Sequence, residues 1–284
     1  MRKYILVASC PEKMGIVRAV SEFIFSIGAS IIDAAQFSDL EKQRFFTRWE
    51  FVSDDQALPS LDDLKQRFAP VATEFSMDWE IHDADVKPRI LIAVSKFGHC
   101  LNDLLYRWTE EDFPAQIVGV VSNHEDFRRK VEWYELPYFF LPTDAHNRAE
   151  QENKLRTIID DQRIDLLVLA RYMQILSDDL CQHVNGRAIN IHHSFLPSFK
   201  GARPYHQAFD RGVKIMGATA HYVTPELDEG PIIEQDVQRV EHSHDSAAMV
   251  RQGKSIESVV LARAVIWHCQ HRVLRNGRKT VIFK

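Results

Sequence analysis

The rhythm of apolar and polar positions changes once along the chain. Residues 4–10 are apolar and β-prone, and Pro11-Glu12-Lys13-Met14-Gly15 makes a turn. Ile16, Val20, Phe23, Ile24 and Ile27 then recur at the spacing of one helix face, which Gly28 ends. Strands are predicted near 30–37 and 45–52 around a turn at 39–43, then a helix over 61–68 and a strand near 75–81. The resulting order, βαββαβ, is the split βαβ plan of a small α+β ferredoxin-like domain. Residues 83–88 read as a linker, because Pro88 pushes the preceding residue out of the helical region. This predicts one domain over 1–84 and a second over 85–284.

From Arg89 the pattern becomes short, fully apolar runs alternating with amphipathic stretches. The runs 90–94, 116–121, 138–141 and 166–170 suit strands buried on both faces, and 101–108 and 147–159 suit helices, with Asp144 as the cap of the second. That alternation predicts a Rossmann-like, doubly wound, mainly parallel sheet. A strand at 188–192, a loop through Pro204, a helix near 205–211, strands at 215–223 and 232–240, and a helix from Asp245 to about Val273 complete the reading.

Composition narrows the class without naming a function. The chain has 284 residues, 45% apolar and 26% charged, which excludes disorder, collagen and membrane classes. Residues 1–84 carry 9 basic and 14 acidic side chains, and residues 85–284 carry 26 of each, so the net charge of −5 sits wholly in the first third. No basic field for nucleic acid exists; the one-signed segment His271–Lys284 reads as a solvated terminus. Cys10, Cys100, Cys181 and Cys269 lie far apart, so no zinc knuckle or disulfide framework is expected, and a reducing, cytoplasmic setting fits. Pro11 cuts the N-terminal apolar run below signal-peptide length, and no run reaches membrane-span length.

The densest chemistry is Asn190-Ile191-His192-His193-Ser194-Phe195-Leu196-Pro197, at the carboxyl end of a predicted strand, where ligands bind in such sheets. Alternation puts Asn190 and His192 on one face and Ile189 and Ile191 on the other. Asn can donate to a developing oxyanion, and His can move protons near neutrality. A carboxylate candidate is Asp228, in a loop shaped by Pro225, Gly230 and Pro231, where it could fix the tautomer of His192. Adjacent His192 and His193 should point to opposite sides, so no metal is expected there. His99, His206 and His221 stay open between lining the pocket and structural hydrogen bonding. Lys200 and Arg203 stay open between a contact to an anionic ligand and an exposed salt bridge.

Taken together, the run 170–176, Asn190-x-His192-x-Ser194-x-Leu196-Pro197, Gly201, and Gly217-x-Thr219-x-His221 through Asp228-x-Gly230-Pro231 resembles the folate-dependent formyltransferase family over most of 89–284. The resemblance implies catalysis by Asn190, His192 and Asp228 at a formyl carbon. It also implies a folate pocket formed by Tyr172, Met173, Gln174, Ile175, Leu176, Val223 and Thr224. One segment departs from the transferases. A phosphorylated acceptor needs a Gly-rich turn after the first strand, whereas here that turn is Ser95-Lys96-Phe97-Gly98-His99.

That departure, joined to a βαββαβ domain in front, is similar to the formyltetrahydrofolate deformylase family, which passes the formyl group to water. Such a resemblance implies hydrolysis of 10-formyltetrahydrofolate to tetrahydrofolate and formate, with formate supplied for purine synthesis and no cofactor. Residues 1–84 resemble an ACT regulatory domain, with Met14, Gly15, Gly28 and Ser30 as candidate effector residues. Methionine and glycine are implied as opposing effectors, and edge-strand pairing as a route to a homo-oligomer. Competing readings are formyl transfer to an amine or ribonucleotide, and a folate or amino-acid sensor without turnover.

Overall fold

The computed structural model describes residues 2–53, 59–110, 113–196 and 204–284, with backbone only at 204–206. Two compact units result. The first comprises residues 1–87 with Gln270–Asn276 and Thr280–Lys284; the second comprises Pro88–Cys269 with Gly277–Lys279.

The first unit has the expected βαββαβ order: β1 (Arg2–Pro11), α1 (Ile16–Ser26), β2 (Ser30–Asp39), β3 (Arg44–Ser53), α2 (Leu61–Glu74) and β4 (Asp78–Asp83). Its antiparallel sheet runs β2-β3-β1-β4. Ile16, Val20, Phe23 and Ile24 bury one face of α1, and Phe23 meets Phe68 of α2 edge-on, ring centres 5.0 Å apart. The helix predicted to stop at Phe68 continues to Glu74 with Pro70 inside it, which moves the last strand to Asp78. Proline removes one backbone donor, but Leu64, Phe68 and Ala72 keep a continuous buried stripe across it.

The contiguous division at 84/85 does not hold for the C-terminus. Arg48, 1% exposed, donates to the Gln270 and His271 carbonyls and pairs with Glu50 and Asp33. His271 stacks on His82 with ring centres 3.5 Å apart. A buried guanidinium must find such acceptors, so the tail expected to be solvated is held by the first unit, where its β12 (Val273–Asn276) forms a two-stranded sheet with β13 (Lys279–Ile282).

The second unit is a seven-stranded sheet ordered β11-β10-β9-β8-β5-β6-β7. Here β5 is Arg89–Val94, β6 Gln116–Ser122, β7 Tyr138–Phe140, β8 Leu166–Leu169 and β9 Ala188–His192; β10 is Ile215–Tyr222 and β11 Ile232–Arg239. The first five are parallel, while β10 runs antiparallel to both β9 and β11. Helices α3 (His99–Thr109), α4 (Arg128–Trp133), α5 (Arg148–Asp161), α6 (Asp178–His183), α7 (Pro204–Asp210) and α8 (Ser246–Cys269) complete it. Short α4 and α6 carry no long apolar period and escape a sequence reading. Asn147, not Asp144, holds the N-cap position of α5, without a side-chain capping bond; Asp144 accepts from the His146 and Asn147 amides in the preceding turn. Strand order reverses between β5 and β8, which makes their carboxyl ends the switch point where doubly wound sheets bind ligands.

Candidate active site

A cavity of about 630 Å³ opens at that switch point. Ser95, buried just past β5, ties its rim together: its hydroxyl donates to Asn123 Oδ1 at 2.7 Å and accepts from the Met173 amide at 3.0 Å. Its own amide donates to the Arg171 carbonyl. The irregular segment after β8 is thereby pinned against the turn after β5.

Asn190, His192 and Asp228 all line the cavity. Ile189 before them and Ile191 between them are buried, and Ile191 also borders the cavity. His192 Nδ1 lies 3.2 Å from Asp228 Oδ2, while its Nε2 is buried with no hydrogen-bond partner among the described residues. A carboxylate beside Nδ1 selects the tautomer that carries the proton there, leaving Nε2 a lone pair. His221, 2% exposed on β10, donates from Nδ1 to the Tyr222 carbonyl at 2.9 Å. Its Nε2 faces Asn190 Nδ2 at 3.3 Å and Asp228 Oδ1 at 3.6 Å. The His221 ring thus stands between Asn190 and Asp228 and orients the Asn190 amide. Burial would raise the Asp228 carboxyl, but hydrogen bonds from His192 and His221 outweigh it and hold the group well below the ordinary carboxylate range.

Local backbone places Asp228. It sits at φ 58°, the left-handed region that Asp tolerates better than most residues. Two residues on, a Cβ at Gly230 would lie 1.7 Å from the Tyr222 carbonyl oxygen. Only glycine lets the loop lie this close to β10, and that approach brings Asp228 to the two histidines.

Tyr172, Met173, Gln174, Ile175, Leu176, Val223 and Thr224 line the same cavity. Met173 and Ile175 are more than half exposed, as apolar walls awaiting a flat ligand would be. Burial pushes the Tyr172 hydroxyl up to about 12. Met14 and Gly15 precede α1, whereas Gly28 and Ser30 follow it. An 11-residue helix is about 16 Å long, so the four candidate effector residues do not form one cluster within a chain. Lys200, Arg203 and the His206 side chain lie outside the described residues, as do Pro197 and Gly201.

His193 corrects an expectation. The strand ends at His192, so alternation ends with it; both rings line the cavity, 5.2 Å apart. Burial, aided by the Arg171 charge, lowers His193 to about 4 and keeps it neutral.

Sequence reasoning missed a second charged cluster on the cavity wall. Glu257 on α8, 1% exposed, has Oε2 2.8 Å from His99 Nε2 and 3.4 Å from Arg171 Nε. The Arg171 guanidinium lies over the Phe97 ring at 5.5 Å, and Lys254 approaches the same ring at 5.9 Å. The available signal was helical spacing: Glu257 falls four residues from Gly253 and from Leu261 on the buried face of α8. Among the described residues, His99, Cys100 and Glu257 also bring candidate metal-ligand atoms within 4.8 Å of one another. The donor set suits an ion pair better. Burial raises the Cys100 thiol well above its ordinary range, and the Glu257 oxygen that would face a cation already faces Arg171.

Comparison with known proteins agrees with this geometry. The model of the formyl transferase family matches residues 88–265. A formyltetrahydrofolate deformylase of Corynebacterium sp. (strain P-1) is 46% identical over 282 residues, covering 99% of this chain and 98% of its own length. The crystal structure of a formyltetrahydrofolate deformylase from Pseudomonas syringae pv. tomato superposes with a TM-score of 0.97 at 47% identity, covering 100% of this chain and 95% of that one. A glycinamide ribonucleotide transformylase from Symbiobacterium toebii is more distant, with a TM-score of 0.63 and 27% identity over 70% of this chain and 95% of its own.

Proposed function

The chain belongs to the formyltetrahydrofolate deformylase family, and from that premise we infer that its cavity hydrolyses 10-formyltetrahydrofolate to tetrahydrofolate and formate by the following division of labour. Water attacks the formyl carbon while His192 Nε2 takes its proton. Asn190 has two N–H groups; one is directed at His221, and the other donates to the tetrahedral oxyanion. The carbon–nitrogen bond then breaks as His192 returns the proton to the aryl-amine nitrogen, and formic acid loses its own proton to give formate. Asp228 holds His192 in the required tautomer and steadies the imidazolium between the two transfers.

One observation carries this reading: the His192 ring whose Nδ1 meets a carboxylate and whose Nε2 has no partner among the described residues. Proton transfer of this kind contributes about 10²–10⁴ in rate, and one oxyanion donor about 10²–10³. The test is formate release from 10-formyltetrahydrofolate in plain buffer with no amine acceptor. Wild type should turn over, and His192→Ala should bind folate while releasing almost no formate. Release that requires an added amine would assign the site to transfer instead.

Regulation by small amino acids such as methionine and glycine, homo-oligomerisation, turnover without a cofactor, supply of formate to purine synthesis and a cytoplasmic setting belong to the same proposal. The assembly is supported by β2, an edge strand along which Ile31, Ile32 and Phe37 are exposed. Four buried free thiols suit a reducing compartment. Turnover with and without each amino acid, together with sedimentation of the full chain, tests both.

A further inference from the structure

We propose that Arg171 forms a carboxylate subsite inside the cavity and that its ligand is the product formate; the choice of ligand rests on the hydrolytic reading above. Position comes first. Arg171 follows β8 by two residues, β8 lies next to β9 in the sheet, and the cavity that Arg171 lines also holds His192. Arg171 stands at φ 66° just past β8, its side chain is 10% exposed, and it lines the cavity.

Its hydrogen bonding is unfinished. Nε is buried 3.4 Å from Glu257 without making a hydrogen bond. Buried arginines are normally satisfied, so a side chain this enclosed with an unsatisfied Nε donor marks a place for an anion. The Phe97 ring covers one face of the guanidinium, which leaves the edge, where the N–H pairs project, to face a ligand. Arg171 and Lys254 against Glu257 leave one net positive charge around Phe97, and neutral His193 adds none.

Chemistry then identifies the ligand. The formyl group of the substrate is neutral, whereas formate is a planar anion whose two oxygens match the two-pronged guanidinium edge. A cation on the wall of the cavity that holds His192 therefore discriminates product from substrate and favours collapse of the intermediate toward formate. A folate glutamate carboxylate has the same chemistry but belongs at the far end of a long ligand.

The probe is sodium formate alone. Carbon-13 formate titrated into the wild-type protein should show saturable broadening, and formate should inhibit initial rates with a matching constant. Arg171→Gln should weaken both by about 10- to 100-fold while the KM for 10-formyltetrahydrofolate changes less than threefold. Arg171→Lys, which keeps a charge opposite Glu257 but loses the fork, should fall between and stands in if the glutamine variant does not fold. Unchanged formate affinity in a folded Arg171→Gln overturns the proposal. So does a raised KM that vanishes with a formylated substrate lacking the glutamate, which would assign Arg171 to the folate tail. Formate binding without any turnover would overturn the hydrolytic reading instead.

Discussion

Two buried carboxylates face the same cavity, and each bridges two basic side chains, yet they are built for different work. Asp228 sits on a strained loop and leaves its partner His192 with an unpartnered nitrogen. Glu257 projects from the 24-residue α8 and meets Arg171 and His99, which hold the wall of the pocket. The first arrangement tunes a proton carrier; the second neutralises and locates charge. The lesson is that a carboxylate–histidine contact does not define a catalytic dyad: what the far nitrogen of the ring can reach does.

Charge removal with retained shape should break the two clusters unequally. Asp228→Asn presents an amide that can donate to His192 Nδ1, which forces the proton onto Nε2 and removes the base. Turnover should fall about 10²–10⁴-fold with folding intact, as read by formate release beside a thermal melt. Near wild-type turnover would erase the distinction drawn above.

Placement is tested next. Gly230→Ala would set a Cβ 1.7 Å from the Tyr222 carbonyl, so the loop must move and carry Asp228 with it. A displacement of about 1 Å costs on the order of 10² in rate. The loss should appear in kcat, and unchanged kcat would show that Asp228 does not depend on this close approach.

Glu257→Gln should do the reverse. It leaves the Arg171 charge buried without its counter-charge, at about 2–3 kcal/mol of stability, while turnover falls less than tenfold. A larger loss of turnover than of stability would move Glu257 into the catalytic group.

These clusters also differ in how far sequence revealed them. Asn190, His192 and Asp228 were legible because strand alternation and a Pro/Gly-framed loop fix where side chains point within a few residues. Glu257 meets Arg171 only after 85 intervening positions are folded, and no local periodicity encodes that. The same limit explains α2: a Pro at position 70 ends a helix by local rules, but the stripe Leu64–Phe68–Ala72 overrides it. It explains the tail as well, whose partner Arg48 is more than 200 residues away. Alternating runs gave the parallel sheet, since each strand carries its own apolar signal, whereas the six-residue α4 and α6 are set by the loops they connect.

The smallest expected effect concerns His193, which lies within electrostatic reach of both clusters and takes the burial cost without serving either. Its ring is lowered to about 4 from an ordinary 6.5, so between those values the unfolded chain binds a proton that the folded chain refuses. Stability must therefore fall as pH drops through that window and be unaffected by this group above it. The loss should reach roughly 2 kcal/mol by pH 5. His193→Asn removes the titration, so its melting temperature should decline less than wild type between pH 7 and pH 5, with the two proteins converging in slope above pH 7. Parallel curves across the whole range would mean that His193 is protonated in the folded protein, which would add a cation between Asp228 and Glu257 and couple two clusters whose contrast rests on their acting separately.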